Sequence, residues 1–360
     1  MKNNLKLVVM DNCKEFGEKV DFHLQKTYHH STILPISNPR FSNGEAKAVI
    51  NESVRDIDLY VLSDVGNYDT SYLVHGRPHY MTPDEHFQDI KRVISAASGY
   101  ASKITVVMPL LYQSRQHKRK GRESLDCAIA LQELEHIGVN HIVTFDCHDP
   151  NVSNAIPLLP FESFYPTNVI LSSLFEKENE GLDNLFVVAP DFGAMERAKY
   201  YAEMLRCGVG GFSKIRDLSK VVNGKNPILE HMYLGPDVAG KDILVVDDMI
   251  ASGSSMIEVG EELKKRGANK VYFIATFALL TEGIKPFVDA YEKGVFDKLY
   301  STNLSYVPDD IKNEPWYEDV DCSYQLSQII ETLHERRPMT PVIEQGKKEI
   351  LQKTLGSRYE

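Results

Sequence analysis

Residues 242–267 read DILVVDDMIASGSSMIEVGEELKKRG. Ile243, Leu244, Val245 and Val246 form a short, wholly apolar run, the pattern of a strand covered on both faces of a parallel sheet. Asp247 and Asp248 stand where that strand is expected to end. A turn of small residues follows, Ala251, Ser252, Gly253, Ser254 and Ser255. Met256, Val259 and Leu263 then make a helical stripe, with Lys264, Lys265 and Arg266 in its last turn and Gly267 as its stop. Such a turn suits a sugar phosphate. Free N–H groups and the positive end of a helix dipole hold a phosphate without a lysine. Carboxylates accept hydrogen bonds from ribose hydroxyls but repel phosphate, so they belong a few residues upstream. Helix capping is the competing explanation, since Asp and Ser are favoured caps.

At 360 residues the chain is long for one core, so two domains are expected. Hydrophobic content of 42% and charged content of 25% are those of a soluble globular protein. No apolar run approaches the ~20 residues of a membrane helix, and Leu5–Met10 is too short for a signal-peptide core. Cys13, Cys127, Cys147, Cys207 and Cys322 are scattered, odd in number and without a CxxC pair. That argues against a disulfide framework and a structural zinc, and favours a reducing cytoplasm. A net charge of −11 disfavours nucleic acid as a partner for the whole surface.

Along the chain, apolar strands and amphipathic helices alternate. Strands are predicted at Leu5–Met10, Leu59–Leu62, Ile104–Leu111, Ile142–Phe145, Phe186–Ala189 and Val271–Ala275. Helices are predicted over Glu15–Gln25, after Ser124 as a cap, along the Met195, Ala198, Ala202, Leu205 stripe up to Gly208, and at Leu326–Leu333. Residues 66–88 read as a long polar loop, Gly208–Gly211 as a turn, and the chain from Met339 as a polar tail. The proline-rich stretch Pro150–Pro166 reads as the domain boundary. The expected architecture is α/β, two doubly wound and mostly parallel sheets spanning 1–155 and 156–310. The helix near 323–336 is expected to join the first domain, and 338–360 to form the tail.

Ligands of open parallel sheets bind beyond the carboxyl ends of the strands. Three apolar strands end in functional groups: Phe145 in Asp146 and His148, Ala189 in Asp191, and Val246 in Asp247 and Asp248. Together they suggest a site drawing on both domains. Residues 114–122, SRQHKRKGR, follow another strand. Such a run fits a solvated face or a nucleic-acid patch. Its place at a strand end also fits a nucleotide polyphosphate, which Arg grips bidentately. Taken singly, a histidine such as His148 is more often a satisfied core histidine, and Lys214 is an ordinary surface lysine. No Walker GxxxxGK[ST] is present.

The strand, two acids and small-residue loop of 242–255 resemble the phosphoribosyl-pyrophosphate (PRPP) signature shared by phosphoribosyltransferases and PRPP synthases. Over roughly residues 5–335 the order of motifs resembles the PRPP synthase (ribose-phosphate diphosphokinase) family, whose domains are of phosphoribosyltransferase type. Phe41-Ser42-Asn43-Gly44-Glu45 is similar to its FSDGE adenine loop, usually supplied by a neighbouring subunit. Ser114-Arg115-Gln116-His117 resembles its ARQD segment, whose Arg and Gln contact ATP. Asp146-Cys147-His148 looks like its DLH, and Pro190-Asp191-Phe192-Gly193 like its PDxGG. The resemblance thus implies His148 and Asp191 as magnesium-site residues. It implies Lys214 as the catalytic lysine on a mobile loop and Arg216 as its partner on the ribose phosphate. Asp247, Asp248 and the loop Ala251–Ser255 then take ribose 5-phosphate.

The reaction implied is transfer of the diphosphoryl group of ATP to ribose 5-phosphate, in a homo-oligomer of dimers assembled into hexamers. A phosphoribosyltransferase and a non-catalytic regulatory paralogue are the rival readings. Asn43 and His117 replace the family's aspartates, the phosphate loop reads ASGSS, the basic segment is about a residue short, and 66–88 looks inserted. These departures bear on nucleotide affinity, regulation and subunit packing more than on reaction class.

Overall fold

Short, mostly apolar runs, too short for buried helices and rich in Val and Ile, become parallel strands here. The computed structural model describes residues 4–178, 184–216 and 228–356, with the side chains of 214–216, 228–231 and 353–356 outside that description. Two units are formed: Met1–Pro166 with Asn303–Val307 and Asp321–Val342, and Thr167–Thr302 with Pro308–Val320 and Ile343–Glu360.

The first unit holds β1 (Leu5–Val9), β2 (Ile36–Ser37), β3 (Val49–Ile50), β4 (Asp58–Leu62), β5 (Ser71–Val74), β6 (Arg77–Tyr80), β7 (Lys103–Val107), β8 (His141–Phe145) and β9 (Phe161–Phe164). Its main sheet is wholly parallel, in the order β1-β4-β7-β8-β9. Strands β4 and β8 are buried along their whole length. The helices are α1 (Lys14–Tyr28), α2 (Pro83–Ala97) and α3 (Asp126–His136). The proline-rich stretch is therefore not a linker throughout, because its Phe161–Phe164 pairs with β8 as the sheet's edge strand. Cys127, Leu131 and Leu134 are buried along α3, but Ser124 does not cap it; its hydroxyl donates to Asp126 Oδ2 at 2.7 Å.

Residues 66–88 are not a long loop. His75 (φ 48°) and Gly76 (φ 74°) turn a tight hairpin that pairs β5 with β6. Thr82 then starts α2 with a capping box to Glu85 and Pro83 in the first turn. Both signals lie in the sequence, masked by the polar and aromatic residues between them.

Asp64, after β4, is buried and accepts from the N–H groups of Gly66 (2.9 Å) and Tyr306 (2.7 Å) and from the Ser305 hydroxyl (2.9 Å). Burial pushes its carboxyl up to about 6, against those hydrogen bonds. The folded unit thus binds a proton more tightly than the unfolded chain. Stability is fullest below the ordinary carboxylate range and is lost as pH rises through about 6. Denaturation between pH 4 and 7 should show this loss, on the order of 3 kcal/mol, and Asp64→Asn should flatten the slope.

The second unit holds β10 (Leu185–Ala189), β11 (Gly208–Arg216), β12 (Ile228–Leu234), β13 (Asp242–Ile250), β14 (Val271–Ala278), β15 (Lys298–Thr302) and β16 (Tyr317–Val320). With them are α4 (Thr167–Lys177), α5 (Met195–Leu205), α6 (Ser254–Lys265), α7 (Lys285–Glu292) and α8 (Asp309–Lys312). The sheet order is β12-β11-β10-β13-β14-β15-β16, parallel except for the β11–β12 ribbon. The glycine cluster Gly208–Gly211 is strand rather than turn. A Cβ on Gly208 would sit 2.5 Å from the Phe186 ring, so the close β10–β11 approach admits only hydrogen there.

Two helices follow, α9 (Ser323–His334) and α10 (Thr340–Gly356). The first packs on α1, and His334 Nδ1 lies 2.8 Å from Asp58 Oδ2. The expected polar tail is mostly helix, and its Ile350 is fully buried in the second unit's core.

Candidate active site

From β10 the second unit's chain moves outward to β11 and β12; from β13 it moves the other way, to β14, β15 and β16. The reversal falls between β10 and β13, and a doubly wound sheet opens a ligand crevice at the carboxyl ends of such a pair. Asp191 follows β10, and Asp247, Asp248 and Ala251–Ser255 occupy the end of β13.

The acidic pair does not terminate β13. The long apolar β14 offers backbone partners beyond it, Ala275 to Asp247 and Ala278 to Ile250, so pairing continues to Ile250. The two carboxylates are close enough to share one cation but differ in burial. Asp248 is buried at 2% exposure while the Asp247 side chain keeps 26%. The Arg197 guanidinium on α5 stands 3.6 Å from Asp247 Oδ1 and 3.9 Å from Asp248 Oδ1. Burial, and next the Asp248 charge, raise the Asp247 carboxyl well above its ordinary range, and Arg197 works against both.

At the loop, Gly253 is the N-cap of α6, with φ +82° and no side-chain hydrogen bond to the helix. Its conformation and crowding both require glycine, since a Cβ would meet the Phe287 ring at 2.2 Å. The first N–H groups of a helix have no intrahelical acceptor, and neither Asp247 nor Asp248 caps this one. Capping therefore does not account for these residues. The Ser252 and Ser254 hydroxyls, on the residues either side of Gly253, lie 3.2 Å apart, and Met256, Val259 and Leu263 bury the helix's inner face.

Asp191 is different: its carboxylate accepts from Gly193 N–H at 2.9 Å and caps the short turn before α5. Lys214 and Arg216 close β11 in an antiparallel ribbon rather than a loop, Lys214 in register with His231. Their side chains lie outside the described residues.

In the first unit, Phe41–Glu45 form a closed turn. Phe41 N–H donates to Glu45 O at 2.7 Å, and Gly44 N–H to Phe41 O at 2.8 Å. Gly44 has φ +93°, and the Phe41 side chain is 49% exposed. Asn43 Nδ2 donates to Glu45 Oε2 at 3.0 Å, a bond that an aspartate there would replace with repulsion. Arg115 and Gln116 are exposed after Ser114. His117 and His148 are brought together, ring centroids 5.2 Å apart. His117 Nε2 lies 3.2 Å from Asp149 Oδ2, and burial lowers its pKa.

Among the described residues no three His, Cys, Asp or Glu side chains group to hold a metal. Sequence reasoning missed Arg197 and Asp149. Arg197 carries a weak signal, a cation beside the apolar Met195, Ala198, Ala202 stripe of an otherwise buried helix face.

An α/β unit with two acids late in its central strand and a helix start without a side-chain cap at its switch point is of phosphoribosyltransferase type by class. Residues 168–304 match the phosphoribosyl transferase domain, and residues 5–138 match the N-terminal domain of ribose phosphate pyrophosphokinase. The chain belongs to the ribose-phosphate pyrophosphokinase family. It is 24% identical over 347 residues to a "Ribose-phosphate pyrophosphokinase 1" of Streptococcus agalactiae, covering 96% of this chain and 98% of that one. To one of Streptococcus pneumoniae it is 26% identical, covering 96% and 99%. A crystal structure of phosphoribosylpyrophosphate synthetase from Mycobacterium smegmatis superposes with a TM-score of 0.76 over 92% of this chain and 99% of that one. At 22% identity that likeness is one of fold.

Proposed function

We infer that this protein is a ribose-phosphate diphosphokinase, using ATP and ribose 5-phosphate to give PRPP and AMP. One observation carries the reading: the phosphoribosyl-type switch point of residues 168–304 shares a chain with an N-terminal domain of pyrophosphokinase type. A phosphoribosyltransferase needs no such domain. The anomeric hydroxyl oxygen of the sugar attacks the β-phosphorus, and the bond from that phosphorus to the α-phosphate's bridging oxygen breaks. The hydroxyl proton is lost and AMP leaves with the bridging oxygen. Little covalent chemistry falls to the protein, so its work is positioning and charge.

The N–H groups opening α6 and the Ser252–Ser255 hydroxyls hold the 5-phosphate, while Asp247 and Asp248 accept from ribose hydroxyls. Phe41, Asn43, Gly44, Glu45, Arg115, Gln116 and His117 hold the nucleotide, and Lys214 and Arg216 neutralise developing charge. His148 and Asp191 are each assigned to magnesium binding in their own unit, and magnesium when bound would supply charge neutralisation of the phosphates. A homo-oligomer built from dimers and a cytoplasmic location complete the proposal; size-exclusion with light scattering reads the former. Among the described residues no helix is long and apolar enough to cross a membrane.

The deciding assay is formation of AMP from ATP with and without ribose 5-phosphate. AMP that appears only with the sugar supports the kinase. AMP without it, or none at all, sinks this reading, and none at all favours the non-catalytic paralogue.

A further inference from the structure

We propose that the hairpin Ser71–Tyr80 is a built-in clamp on the nucleotide loop Phe41–Glu45 and sets this chain's affinity for ATP. The inference rests on reading residues 41–45 as nucleotide-binding. The loop's own hydrogen bonds close its turn, but Phe41, Ser42, Asn43 and Glu45 are all exposed, so those bonds do not dock it on the rest of the unit. What restrains it from outside is the hairpin. His75 N–H donates to Ser42 O at 2.9 Å. Around Gly44, a Cβ would meet Tyr72 Oη at 3.8 Å and Val74 Cγ2 at 3.9 Å.

The base of the loop is held by the same face. The Arg40 guanidinium lies over the Tyr72 ring, 4.6 Å from its centroid, and is ion-paired to Asp89 on α2. An isolated hairpin of this length is marginal in water, so it needs an anchor. Glu85 provides one, taking the Tyr72 hydroxyl at 2.6 Å and lying 2.9 Å from His79 Nε2. Burial works against its ionisation, but the bonds from Tyr72, Thr82 N–H and His79 prevail and hold its pKa at about 2. The anchor therefore stays charged at every working pH. A loop ordered before the ligand arrives loses less conformational freedom on binding, which raises affinity without adding a contact.

The test uses the full chain with residues 72–79 replaced by Gly-Gly, joining Ser71 to its cross-strand neighbour Tyr80. Tyr72→Ala serves as a milder variant whose melting can be matched to wild type. Initial rates of AMP formation are read against each substrate in turn. The clamp predicts that KM for ATP rises about tenfold in both variants, while KM for ribose 5-phosphate stays within about twofold. An unchanged KM for ATP, or a parallel rise in both constants, overturns it. Phe41→Ala separates the two levels of the argument. If that change leaves KM for ATP unaltered, the nucleotide reading of the loop fails; if it raises KM while the hairpin variants do not, the clamp alone fails.

Discussion

Replacing Lys214 by alanine should lower kcat for AMP formation by about 10³-fold, the scale of losing one charge-stabilising group from a transition state. The Kd for ATP, measured by calorimetry, should stay within about twofold. As the β-phosphorus is attacked, charge spreads over the phosphate oxygens, and a cation that meets it only then contributes to turnover rather than to binding. The backbone supports this role. β10 pairs with β11 as far as Ala189 with Gly211. β11 runs on to Arg216, so Lys214 and Arg216 are carried past the carboxyl end of β10, where Asp191 stands. If kcat and ATP affinity fall together, Lys214 is a binding residue and the catalytic assignment is wrong.

The second unit was legible because its signals are local. Val245, Val246, the two aspartates, Gly253 and the Met256, Val259, Leu263 stripe follow one another within 26 residues, and strand, loop and helix periodicities are short-range properties. What the sequence concealed depends on distant partners. The continuation of β13 past Asp247 is decided by β14, some 28 residues further on, so the acids looked like a strand end and are not one. Gly208–Gly211 resembled a turn because glycine's usual conformational role hides its other one, the lack of a side chain where Phe186 crowds in. Residues 66–88 lacked a clean period because β5 and β6 are four residues each and mix Tyr, Leu and His on both faces. The His75-Gly76 turn and the Thr82–Glu85 box were the usable cues. The resemblance placed Lys214 on a loop, whereas its register with His231 puts it in a ribbon.

Arg197→Met should both destabilise the protein and damage the sugar-phosphate site, and the two effects can be read apart. Its side chain is 10% exposed and lies near two carboxylates, one of them buried. Removing the cation takes a neighbouring positive charge from both, at a cost of about 3–5 kcal/mol in chemical denaturation. The site effect has its own sign. The proposed role of Asp247, accepting from ribose hydroxyls, is fullest when it is ionised, and its pKa is already raised by burial and by Asp248. Arg197 is the opposing charge, so its loss raises that pKa further. The acid limb of kcat/KM for ribose 5-phosphate should then move to higher pH by at least about one unit, with the corresponding limb for ATP unmoved. Arg197→Lys, which returns a cation without the planar fork, should restore most of the pH profile but not all of the stability. Were the methionine variant unstable yet its ribose 5-phosphate profile unshifted, Arg197 would be a packing residue only. In that case some other group keeps Asp247 ionised.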